Sequence, residues 1–149
     1  KEDATMDELI HASKIAQSYD FILEKENGFD SVVEQGGKNF SGGQKQRLSI
    51  ARALVRKPEI YVFDDSFSAL DFKTDAKLRA ALKNETKESA VIIVAQRVST
   101  IMDADRILVL EDGNIVGMGT HKELLQNCAI YQEIASSQLS EEELANEHR

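Results

Sequence analysis

Three short apolar runs constrain the fold of this chain most: Ile60-Tyr61-Val62-Phe63, Val91-Ile92-Ile93-Val94-Ala95 and Ile107-Leu108-Val109-Leu110. Each is continuous rather than alternating and too short for a helix. The first two read as strands covered on both faces, and the third as a further strand. Segments of helical period stand before and between them. Thr5 and Glu8 form a capping box before a helix expected over 6–18, with a short apolar turn at Phe21-Ile22-Leu23. Ser41 and Gln44 form another before a helix over 41–55, with Leu48, Ala51, Leu54 and Val55 turned inward; Pro58 stops it. Helices are also expected over 71–84, 98–104 and 130–138, and after the Thr120/Glu123 capping box. Glu111-Asp112-Gly113-Asn114 predicts a hairpin turn returning through Ile115-Val116-Gly117. Alternation of strand and helix argues for the α/β class with a parallel sheet, and the helical front reads as a subdomain. The expected divisions are 1–57, a helical lead-in; 58–139, a strand-bearing core; and 140–149, an acidic tail.

Composition narrows the function. The chain has 149 residues and a net charge of −8. A general nucleic-acid binder needs Lys and Arg to neutralise phosphates, so nucleic acid is not an expected partner. Cys128 is the only cysteine, so no internal disulfide can form, which fits a reducing compartment. It reads as a partly buried free thiol. No apolar run reaches the length of a membrane span and the first residues do not resemble a signal peptide, so the chain itself is expected to be soluble.

Two places carry chemistry. Asn39-Phe40-Ser41-Gly42-Gly43-Gln44-Lys45-Gln46-Arg47 opens a helix with a good N-cap and two residues that lack side chains. An anion can approach the first-turn N–H groups there, and the helix dipole favours negative charge. Asp64 and Asp65 end the first strand, where open α/β sheets hold their ligands. Asp64 suits Mg²⁺, a hard cation that takes oxygen ligands, and Asp65 is placed to orient a water. Asp71 closes the loop that follows; capping the next helix and serving the site are both open to it.

Phe40-Ser41-Gly42-Gly43-Gln44 resembles the signature motif of ATP-binding cassette (ABC) proteins. Tyr61-Val62-Phe63-Asp64 resembles their Walker B strand, Ser68-Ala69-Leu70-Asp71 their D-loop, and Ala95-Gln96-Arg97-Val98-Ser99-Thr100 their switch region. Gly119-Thr120-His121-Lys122-Glu123-Leu124-Leu125 and Tyr131 are similar to the exporter C-terminus. The order and spacing match over residues 4–138. The resemblance implies a P-loop NTPase core, of which this chain would be the C-terminal portion, because no G-x-x-x-x-G-K-[ST] loop occurs. The chain alone would then neither bind ATP tightly nor hydrolyse it. One strand of the family sheet would be missing between residues 91–95 and 107–110. The two runs are therefore expected to close up, or to pair with a second copy, rather than leave edges unpaired.

The resemblance further implies ATP and Mg²⁺ as cofactors in the complete domain. It implies a second ABC subunit as partner, a transmembrane domain on the same polypeptide, and a location at the cytoplasmic face of a membrane. Ser41, Gly42, Gly43, Gln44 and Asp71 would face the nucleotide, Asp64 would hold the metal, and Asp65 and Gln96 would stand at the catalytic positions. Asp65 replaces the family's glutamate and is one methylene shorter. Gln96 replaces the switch histidine and cannot carry an imidazolium charge. The chain thus resembles the degenerate-site subunit of a heterodimeric multidrug or lipid exporter. A non-hydrolytic regulatory module and a homodimeric exporter remain the alternatives.

Overall fold

The computed structural model describes residues 1–139, in two compact units, Lys1–Val94 and Ala95 onward. The expected tail over 140–149 lies outside the described residues.

The first unit runs α1 (Met6–Ile15), α2 (Tyr19–Leu23), 3-10 turns at Gly28–Asp30 and Gln35–Gly37, α3 (Gly42–Leu54), β1 (Ile60–Asp64), α4 (Phe72–Glu85) and β2 (Ala90–Val94). Both expected capping boxes form. The Thr5 hydroxyl accepts from the Glu8 N–H, and Glu8 Oε2 accepts from the Thr5 N–H at 2.9 Å. α1 stops short of Ser18 because Gln17 turns into the left-handed region at φ +55°. The β1–α4–β2 stretch is a parallel crossover, with Ile60 opposite Ala90 and Asp64 opposite Val94.

Small residues set how closely α1 meets α3. Ala12 and Ala16 lie in one buried cluster with Ile50 and Leu54, and β1 adds Tyr61 and Phe63. The two rings stack, with centroids 5.8 Å apart. Phe67, Leu70, Leu78 and Leu82 complete the cluster. Ile50, rather than Leu48, is the more deeply buried inward position of α3.

The sequence expectation that these strands are covered on both faces is not met. Tyr61 and Phe63 are buried, but Ile60 and Val62 on the opposite face are 59% and 63% exposed. In β2, Val91, Ile92 and Val94 are exposed as well. The helices of this unit cover one side of the sheet, and a continuous apolar run does not reveal which side that is.

The second unit holds α5 (Val98–Ile101), β3 (Ile107–Glu111), β4 (Asn114–Gly119), α6 (His121–Asn127) and α7 (Ala129–Gln138). The predicted hairpin forms. Asp112 and Gly113 have φ of +48° and +78°, the pair of positive values that a type I′ turn requires. Its strands pair antiparallel, with an irregularity between Val109 and Leu110. Ile107 and Val109 face a core of Val98, Leu124, Leu125, Tyr131 and Ala135; Leu108 and Leu110 are exposed. Cys128 is a buried free thiol. His121 Nδ1 lies 2.7 Å from the Tyr131 hydroxyl, and burial pushes the Tyr131 phenol up to about 12. Thr120 caps α6, with its N–H donating to Glu123 Oε2 at 2.8 Å.

Among the described residues, β2 hydrogen-bonds to β1 and β3 to β4. Each unit therefore holds its own two-stranded ladder. β3 satisfies one edge through its own hairpin, a local pairing that needs no long-range loop closure.

The half-covered sheet makes a testable contrast. In guanidinium unfolding of the 149-residue chain, Leu78→Ala should cost roughly 2–5 kcal/mol, as expected for a fully buried leucine. Val62→Ala should cost less than about 1 kcal/mol, because its side chain already meets water. Equal losses would mean that the open face is covered in solution.

Candidate phosphate-binding site

Ser41 stands at the N-cap of α3 in extended backbone (φ −67°, ψ 164°). Its hydroxyl accepts from the Gln44 N–H at 3.2 Å, and Gln44 Oε1 accepts from the Ser41 N–H at 2.9 Å. The cap thus engages the carboxamide oxygen of Gln44. The N–H groups of Gly42 and Gly43 find no acceptor among the described residues, as the first turn of a helix requires. They open on a cleft of about 380 Å³ lined by Ser41, Gly42, Gly43, Arg47, Leu70 and Asp71, among others. A helix start with free amides and an open approach is suited to an anion such as phosphate.

The far wall of the cleft comes from the segment after β1. Asp71 caps α4, accepting from the Thr74 N–H at 3.0 Å. Hydrogen bonds from Thr74, side chain and then backbone, hold the Asp71 carboxyl below its ordinary value. Arg47 adds positive charge beside it. Its Nη1 donates to the Gln17 carbonyl at 2.6 Å, its Nε to the Gly43 carbonyl at 3.3 Å, and its guanidinium lies 4.7 Å from the Phe21 ring centroid. Burial pulls the Arg47 guanidinium down and the Asp71 charge opposes that, so the two charges feel each other. Arg47 remains a cation throughout the useful pH range.

The structure therefore brings Ser41, Gly42, Gly43 and Asp71 to one cleft, with Gln44 buttressing the cap. Asp64 and Asp65 stand exposed at the carboxyl end of β1. Asp65 has φ +46°, unusual for a residue with a Cβ, and its N–H donates to the Val94 carbonyl at 3.0 Å. Its Oδ2 lies 3.0 Å from the Ser68 hydroxyl. Gln96 belongs to the second unit, where its side chain is exposed and its carbonyl accepts from Gln138 Nε2 at 2.8 Å. Gln46 and Arg47 carry no task legible in the sequence; Arg47 lines the cleft and Gln46 faces the turn behind it. Their one sequence signal is helical spacing: Arg47 lies four residues after Gly43, on the same face of α3. Among the described residues no group of three or more His, Cys, Asp or Glu side chains could hold a metal, and no helix is long and apolar enough to cross a membrane.

A capped, glycine-opened helix facing the segment after an aspartate-tipped strand is an α/β arrangement suited to an anion such as phosphate. The ABC transporter family profile matches residues 2–68. The ABC transporter ATP-binding protein YfiB of Bacillus subtilis is 50% identical over 142 residues, covering 95% of this chain and 24% of that protein. Human ATP-binding cassette sub-family B member 5 is 43% identical over 138 residues, covering 93% of this chain and 11% of that protein. A solved bacterial Atm1-family ABC exporter with ATP bound superimposes with a TM-score of 0.90 at 38% identity, covering 95% of this chain and 25% of that one. The chain belongs to the ABC transporter family: it is ATP-binding-domain sequence with the P-loop NTPase fold, homologous to exporter ATPases. It spans about a quarter of the length of YfiB and of the solved exporter.

The two glycines should respond differently to a methyl group. A Cβ on Gly43 would lie 2.8 Å from the Ala69 carbonyl oxygen, whereas one on Gly42 meets only the Ala69 methyl at 3.6 Å. Gly43→Ala should destabilise by about 1–3 kcal/mol because backbone must move. Gly42→Ala should be neutral or stabilise by up to about 1 kcal/mol through helix propensity. Thermal unfolding of both variants checks the order.

The Asp71 cap carries a pH signature. A carboxyl held low by folding contributes stability above its unfolded value, and that contribution fades as pH falls through the lower folded value. The Thr74 amide resonance should therefore titrate in acid. Asp71→Asn, which keeps the capping oxygen, should abolish that titration and retain the helix start.

Proposed function

We propose that this chain provides the signature half of an ATP site completed by a second ABC subunit, in an exporter that couples ATP to transport at the cytoplasmic face of a membrane. The observation that carries the reading is the open first turn of α3: Ser41 capping it, the Gly42 and Gly43 amides free, and Asp71 across the cleft. A terminal phosphate held by the partner's phosphate-binding loop would meet the Ser41 hydroxyl and the Gly43 N–H, with the helix dipole adding field. The segment from Ser68 to Asp71 would cross toward the same nucleotide.

The chain's own carboxylates serve a second, weaker site. Asp64 is one exposed carboxylate at a strand end. Mg²⁺ in nucleotide sites takes one or two carboxylates, phosphate oxygens and water, so this donor fits it. When bound, the ion would neutralise phosphate charge. Asp65 stands where hydrolytic relatives carry glutamate. Its carboxylate is about 1 Å shorter in reach, a misplacement that can cost on the order of 10²-fold. The Ser68 hydroxyl also engages it locally. Gln96 can donate a hydrogen bond but supplies no charge to a developing transition state. Together they describe a site that binds ATP and turns it over slowly, beside a competent partner site, as in a heterodimer.

In the full-length dimer, Ser41→Ala should lower hydrolysis at the partner's site by about 10²–10³-fold, the scale of losing one transition-state donor. Unchanged hydrolysis would contradict the in-trans role. Asp65→Glu combined with Gln96→His should raise turnover at the weak site when the partner's own signature is intact. Site-resolved nucleotide trapping separates the two sites, and an unchanged weak site would remove these residues as its defect.

A further inference from the structure

Gln46 sits one turn into α3, on the side facing the segment after β1, and its carboxamide is fully used. Nε2 donates to the Asp65 carbonyl at 3.0 Å and to the Ser68 hydroxyl at 3.0 Å. Oε1 accepts from the Ala69 N–H at 3.0 Å. One side chain thus holds the start, middle and end of the turn 65–69. Accepting from Gln46, the Ser68 hydroxyl has its hydrogen available for the Asp65 side, where Oδ2 lies at 3.0 Å and the carbonyl at 3.1 Å. Asp65 is the residue in this turn that needs holding, since φ +46° costs a non-glycine residue of order 1–3 kcal/mol and persists only where its surroundings enforce it.

A second observation is independent of these hydrogen bonds. Gly43, three residues before Gln46, lies so near the Ala69 carbonyl that a Cβ there would reach 2.8 Å. Steric contact at Gly43 and the carboxamide at Gln46 join the first turn of α3 to the 65–69 turn at two points. A displacement of one therefore carries the other.

We propose that Gln46 is a positioning residue that links the phosphate-binding turn of α3 to Asp65 of the same chain and to the crossing segment ending at Asp71. Gln46 itself touches no nucleotide. Phosphate from the partner's ATP, seated on Ser41 and Gly43, presses on the turn that places this chain's own water-orienting carboxylate. The two ATP sites of the dimer are thereby coupled through one side chain. This inference rests on the two-subunit site proposed above.

The test uses the purified full-length transporter in its dimer, with site-resolved nucleotide trapping measured against Mg-ATP concentration, so that kcat and KM for the Gln46 and Ser68 variants are those of this chain's own Asp65 site and turnover for Ser41→Ala is that of the partner's site. Gln46→Leu removes all three hydrogen bonds at similar volume. It should lower kcat at least tenfold while KM moves less than twofold, because the phosphate contacts survive and the geometry does not. Gln46→Glu keeps the acceptor for the Ala69 N–H alone and should retain more kcat than Gln46→Leu. Adding Ser68→Ala to Gln46→Leu should cause little further loss, since both remove the same link. If Gln46→Leu fails to assemble, Gln46→Glu and Ser68→Ala must still show the kcat loss at constant KM. The proposal is overturned by an unchanged kcat in the folded variant, by a rise in KM at constant kcat, or by losses from Gln46→Leu and Ser68→Ala that multiply. Ser41→Ala, run in parallel, separates the readings. If it leaves turnover unchanged, the two-subunit site fails; if it lowers turnover while Gln46→Leu does not lower kcat, only the link fails.

Discussion

A methyl group at position 43 would stand 2.8 Å from the Ala69 carbonyl oxygen, and much of the candidate site follows from that closeness. It forces glycine into the first turn of α3. The same missing side chain leaves the first-turn amides open to an anion, so packing within the chain and access from outside require one residue type together. The contact is set from both sides. Ile50 and Leu54 bury one face of α3 and fix its axis, while Tyr61 and Phe63 root β1 in the same core and deliver the 65–71 segment to the helix start. Polar groups then lock the approach. The Ser41 cap completes the helix end, Gln46 holds the turn, and Arg47 ties α3 to the end of α1 through the Gln17 carbonyl.

What the sequence made legible was local. The capping boxes at Thr5, Ser41 and Thr120 all form, because each is a matter of residues three apart. The Asp112-Gly113 turn forms for the same reason: its conformation is set by the two residues within it. Asp71 was open to capping, and it caps. What the sequence concealed was long-range. Nothing in Ile60-Tyr61-Val62-Phe63 says that Tyr61 and Phe63 meet a core while Ile60 and Val62 meet water. Gln46 reads as one more polar helix residue until the turn 19 to 23 positions later is folded against it.

The second unit shows how a small core is kept specific. Ile107 and Val109 on one face of the hairpin pack against α6 and α7 residues, and His121 and Tyr131 form a buried polar pair in the same unit. Their 2.7 Å hydrogen bond gives His121 Nδ1 and the Tyr131 hydroxyl a partner where water is excluded, while His121 Nε2 is buried with no hydrogen-bond partner among the described residues. Gly117 lies against Cys128 so closely that a Cβ would meet its sulfur at 2.8 Å. Here too a glycine is set by approach rather than by turn geometry.

The central claim is that the first turn of α3 receives the phosphate of a nucleotide held by another subunit. The most direct measurement is the structure of the full-length dimer with ATP bound and hydrolysis blocked. The account predicts terminal-phosphate oxygens within about 3 Å of the Ser41 hydroxyl and the Gly43 nitrogen, the ordinary hydrogen-bond range, with the nucleotide's other contacts made by the partner chain. A nucleotide bound away from Ser41 and Gly43, with the cleft beside Asp71 empty, would contradict it.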